Sequence, residues 1–146
     1  MKKPGDSVAT TGSLQRKLWV IKTSARVALG LVWFYEGLVP KILFLRSDAI
    51  DLVRRSGLVW RTPERTLLLL GIAQMLVGLW LIIGRAERAA VVVATGWMLV
   101  LIVLVAGGNP GMLTDPYGAL VKDFCLVACA ISVWILAPIT QEQALE

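Results

Sequence analysis

Three observations predict an all-α fold, a four-helix transmembrane bundle with a short amphipathic helix in its first loop. The residues AVILMFWYC make up 57% of 146 positions and charged residues only 17%, against about 25% charged in soluble domains, and mean hydropathy is +0.73. The charges are bunched, leaving windows as long as a helix needs to cross about 30 Å of hydrocarbon. Lys and Arg cluster beside those windows, so a membrane accounts for the net charge of +5 and pI of 9.6. No basic stripe interleaved with aromatics exists to bind nucleic acid, and the apolar content excludes disorder and a coiled coil. One domain is expected over residues 26–138, between an amino-terminal tail (1–25) and a short carboxyl tail (139–146).

In chain order, residues 1–25 are polar and basic and read as a mobile cytoplasmic tail. Nothing after Val27 resembles a signal-peptide cleavage pattern. The first span, 27–45, reads VALGLVWFYEGLVPKILFL and should kink or end near Pro40. In the loop that follows, Ser47 is placed to cap a short helix with Asp48 and Asp51 early, Arg54 and Arg55 late, and Gly57 at its end, an order that suits the helix dipole. Its apolar residues would lie against the membrane surface or the bundle. Thr62-Pro63-Glu64 starts the second span, 66–84, whose 19 residues carry no charge. The tight turn Arg85–Arg88 leads to the third, 89–108, with 20 uncharged residues. Gly107 to Gly111, with Asn109 and Pro110, forms a loop that lacks any phosphate-cradle pattern. Asp115 then caps the fourth span, 116–138, with Pro116 at its first position.

With four spans, eight Lys or Arg fall on the side of the termini and six in the first loop. The positive-inside rule therefore favours cytoplasmic termini in a bacterial-type inner membrane. Trp19, Trp80 and Trp134 would mark that interface, Trp60 and Tyr117 the other.

Ionisable groups at membrane depth carry the most information, because each costs about 2.5–3.5 kcal/mol even on permissive scales. Glu36, Lys41, Lys122 and Asp123 are such groups, and the direction of the spans brings them to one end. One reading is a buried cluster in which Glu36 meets Lys122, with Lys41 and Asp123 nearer the opening and Gln74 extending it as an uncharged donor and acceptor. The other is a set of interfacial groups, lysines snorkelling and acids solvated. Cys125 and Cys129 share one helix face and read as small packing residues. With no histidine, haem ligation by His, His-type metal sites and triad hydrolysis are excluded, and no metal is expected. Gly30 and Gly37, Gly71 and Gly78, and Ala90 and Ala94 have the spacing of closely packed membrane helices.

The run Arg26–Phe44, with an aromatic pair before E-G-x-x-P-K, resembles the first-span signature of DoxX-like membrane proteins. The resemblance continues through IDLVRRSGL, the Gly71–Gly78 spacing and N-P-x-x-x-x-D-P followed by a lysine, over about residues 25–138. It implies a four-helix membrane bundle, in a family whose named member is a small subunit of a thiosulfate:quinone oxidoreductase. Glu36, Pro40, Lys41 and Lys122 are the positions carried over, with Gly37, Asn109, Pro110, Asp115 and Pro116 as structural motif residues. Gln74 stands where an acid is expected, and Asp123 where Asn is expected. The leading expectation is a redox-associated subunit, not catalytic alone, whose cavity touches a quinone, with the bilayer, a redox subunit or a second copy as partners. The alternatives are a small proton-coupled transporter similar to the small multidrug resistance group, against which the long first loop argues, or an assembly partner without a ligand.

Overall fold

The computed structural model describes residues 4–45, 47–55, 57, 59–108 and 119–141. Among these residues the fold is entirely helical: α1 (Pro4–Leu38), a π-helical segment (Val39–Leu43), α2 (Ser47–Arg55), α3 (Pro63–Ile83), α4 (Glu87–Gly108) and α5 (Ala119–Gln141). Asn109, Pro110, Asp115, Pro116 and Tyr117, and the loop they were expected to form, lie outside the described residues. Among the described residues two helices, Pro63–Ile83 and Glu87–Gly107, are long and apolar enough to cross a membrane, and a third span arises if the α1 region and α2, which meet at 97°, are taken together.

The amino-terminal boundary differs from the expected one. α1 begins at Pro4 rather than near residue 26, so residues 4–25, read as a loose tail, are helical. Proline suits a first helical position because its missing N–H has no intrahelical partner there. Further along, Lys22 and Arg26 stand one turn apart on a single face, and both are turned inward rather than solvated.

Sequence chemistry sets the other ends. Thr62 caps α3 by accepting the Arg65 N–H at 3.3 Å, with Pro63 first and Glu64 in the first turn. Gly84 ends it in the left-handed region at φ 79°, its N–H donating to the Trp80 carbonyl. α2 opens with Asp48 accepting the Ala49 N–H at 3.0 Å, and Gly57 follows it at φ 71°. α2 settles against α3 and α4, with Val53 buried.

α1, α3, α4 and α5 pack in alternating directions. Gly30 meets Gly78 while Gly37 meets Gly71, which makes α1 and α3 antiparallel; a Cβ on Gly30 would lie 2.8 Å from the Gly78 carbonyl, and one on Gly78 2.6 Å from the Phe34 amide nitrogen. Only glycine lets two backbones approach so closely. The buried positions advance by threes and fours: Leu67, Gly71, Gln74, Gly78 and Leu81 on α3, and Leu126, Ala130, Val133 and Ala137 on α5. That repeat is the seam of a left-handed helical bundle. The outer faces carry exposed Leu31, Leu76, Val100, Val103, Phe124 and Ile135. The core mixes small and large residues, Gly71, Ala94 and Ala130 beside Leu29, Trp33 and Leu81, and the exposed apolar outer faces suit a hydrocarbon solvent.

Candidate functional site: a polar cluster in an apolar cavity

The site grows from the run Glu36–Lys41. Proline at 40 has no N–H to offer the carbonyl of residue 36, four residues back. The helix widens there into the π-helical segment, closed by the Phe44 N–H donating to the Val39 carbonyl at 2.9 Å. The Glu36 carbonyl instead accepts from Lys41 Nζ at 3.1 Å. The same ammonium donates to Gln74 Oε1 on α3. In E-G-x-x-P-K, then, the proline orphans a carbonyl, the lysine answers it, and Gly37 lets α3 approach near enough for Gln74 to be reached.

The Glu36 side chain points the other way, toward α5, where Lys122 Nζ lies 2.8 Å from its Oε1. The two side chains retain 32% and 37% of their exposure, which places the pair between a dry interior ion pair and a hydrated surface one. Both engage one cavity of about 290 Å³, which Lys41, Gln74 and Asp123 also line. Its apolar walls include Trp33, Leu70, Met98 and Ile102, and α2 closes one side through Asp48, Ala49 and Leu52. Glu36, Lys41, Gln74, Lys122 and Asp123 are thus brought together. Lys41 turns back along α1, where the orphaned carbonyl and Gln74 Oε1 both accept from it.

Sequence reasoning missed two features. Asp48 was read only as a helix-start acid, yet it lines the cavity beside Thr66, whose hydroxyl accepts the Trp60 N–H at 2.8 Å and donates to the Thr62 carbonyl at 3.1 Å. At the opposite end of the bundle, Glu87 was read as part of a polar turn. Its carboxylate is buried between Lys22, at 2.9 Å, and Arg26, at 2.8 Å, with side-chain exposures of 10%, 7% and 13%. The Arg26 guanidinium lies over Gly84, where any side chain would collide with it. The findable signal was a single acid in a basic turn facing an i, i+4 pair of cations.

Antiparallel helices packed through glycines, apolar outside and charged at a cavity within, define a small helical membrane protein. The family model of the DoxX-like family matches residues 30–137, well over half the chain, and the chain belongs to that family. No curated protein and no solved structure matches it.

Proposed function

We propose that this protein is a four-span subunit of the bacterial-type inner membrane, with both termini in the cytoplasm, that binds the headgroup of a quinone in service of a redox partner. The carrying observation is the cavity between α1, α3, α4 and α5, with apolar walls for a ring and tail and amino and amide donors clustered at one side. Specific small-molecule sites have this makeup, a mostly apolar lining with a few convergent polar groups. Lys122, Lys41 and Gln74 fit a quinone because a ring carbonyl accepts hydrogen bonds and these side chains can donate them. A quinone would supply two-electron, two-proton chemistry, which no side chain lining this cavity provides. The protein's own part is to orient the ring, exclude water with α2 and hold charge near the ring oxygens: Lys122 stabilises negative charge developing there, and Glu36 keeps that ammonium aimed.

The ion-paired state of Glu36 supports headgroup binding over proton coupling. A carboxylate that drives transport must release its partner at each cycle, whereas this one has its charge balanced across 2.8 Å. The direct test is organic extraction of protein purified in mild detergent. A quinone recovered in near-stoichiometric amount, and depleted in a Val105→Phe variant that fills the cavity from its apolar wall, is the expected result. Quinone at the level of a control membrane protein contradicts the proposal.

A further inference from the structure

A second groove lies on the outer face between α4 and α5, away from the polar cavity, with a volume of about 460 Å³. Val92, Gly96 and Leu99 of α4 and Val127, Ile131 and Trp134 of α5 form its walls. Gly96 is the informative residue. Glycine inside a helix costs about 0.8–1 kcal/mol relative to alanine, and at Gly30, Gly37, Gly71 and Gly78 the contact of two backbones explains it. At Gly96 a Cβ would meet nothing within 4 Å, so no part of the described chain needs the space it leaves.

The chemistry at the groove's end names an occupant. Trp134 lines the groove and also carries the Arg88 guanidinium over its ring, 5.3 Å from the centroid. A guanidinium has five N–H donors, and one held over a ring keeps donors free to reach a phosphate. Glu87, the neighbouring acid, is turned inward to Lys22 and Arg26, and no acid among the described residues pairs with Arg88 or Arg85. The rim is therefore cationic beside an apolar slot about 10 Å long from Val92 to Leu99. A second copy related by a two-fold axis along the membrane normal would bring a second Arg88 to the same rim, where like charges repel.

We infer that this groove holds one acyl chain of an anionic phospholipid whose phosphate is bound by Arg88 on its Trp134 platform. The test titrates the detergent-purified full chain with phosphatidylglycerol or phosphatidylcholine of matched chains, reading bound lipid by native mass spectrometry and Tm by thermal unfolding. Phosphatidylglycerol binds preferentially and raises Tm; Arg88→Gln weakens it by about tenfold, the loss of one charge-assisted hydrogen bond. Gly96→Leu, which enters open space and so folds, removes the bound lipid and the gain in Tm. Gly107→Leu, a site on α4 outside the groove that is equally open among the described residues, keeps both. Equal binding of the two lipids, an unchanged preference in Arg88→Gln, retained lipid in Gly96→Leu, or a wild-type dimer that Gly96→Leu splits would each overturn the inference. Should Gly96→Leu fail to fold, the lipid preference of Arg88→Gln decides alone.

Discussion

Gly78→Ala and Gly96→Ala introduce the same methyl group into neighbouring apolar helices and should move stability in opposite directions. On Gly78 the new Cβ would sit 2.6 Å from the Phe34 amide nitrogen and 2.7 Å from the Gly30 carbonyl oxygen. Ordinary contact is about 3.5–4.0 Å. Both neighbours are backbone, so no rotamer change relieves the clash and α1 must retreat from α3 by roughly 1 Å along a seam that also holds Gly30, Gly37 and Gly71. Overpacking of this kind costs about 1–3 kcal/mol, and the better helix propensity of alanine returns about 0.8–1 kcal/mol. The net loss is about 0–2 kcal/mol. On Gly96 nothing opposes the methyl group, and the propensity term alone predicts a gain of up to about 1 kcal/mol. Unfolding of the purified protein by SDS titration in dodecyl maltoside reads both values against wild type. A Gly78→Ala variant stabilised as much as Gly96→Ala would refute the interlocked α1–α3 seam.

Glu36→Gln and Lys122→Met should each destabilise while the double variant recovers part of the loss. With both side chains about a third exposed, the coupling falls between the values for surface and dry pairs, at about 1–3 kcal/mol. A double-mutant cycle measures it, and additivity within about 0.5 kcal/mol would refute the pairing. Glu87→Gln should cost more, about 3–5 kcal/mol, because it removes the buried carboxylate that Lys22 and Arg26 share, their side chains only 7% and 13% exposed; a smaller loss than for Glu36→Gln contradicts the burial. Replacing Cys125 and Cys129, both free thiols, with alanine should change stability by under about 1 kcal/mol and leave quinone retention intact. Retention lost with the fold preserved would give the thiols a role beyond packing.

Much of the frame was legible because local chemistry decides it. The uncharged windows set α3 and α4, Thr62-Pro63-Glu64 set the start of α3, and Pro40 set the end of regular α-helix in the first segment. The direction of the helices then sufficed to bring Glu36 toward Lys122. What escaped reading depends on partners distant in sequence. Residues 4–25 look like a tail until Glu87 is known to stand 61 positions beyond Arg26, ready to pair its charge. The two acceptors of Lys41, the carbonyl that Pro40 orphans and the amide of Gln74, likewise come into view only with the fold. Composition also conceals the inner face of α4, since core Ala90, Val91 and Ala94 alternate with exposed Val92 and Val93. In an apolar solvent valine faces inward at 91 and outward at 92, so a hydropathy pattern does not separate the two faces.

The central claim is that the Glu36–Lys122 pair and the cavity beside it form one headgroup site. Titration of a short-chain quinone into detergent-purified protein, followed by isothermal calorimetry on wild type and on the Glu36→Gln/Lys122→Met double variant, tests it most directly, because the paired replacement removes both charges together and leaves neither unbalanced. Saturable one-to-one binding by wild type, lost in a double variant that still unfolds cooperatively, is the predicted result. Binding of equal affinity to both proteins, or to neither, would contradict the claim.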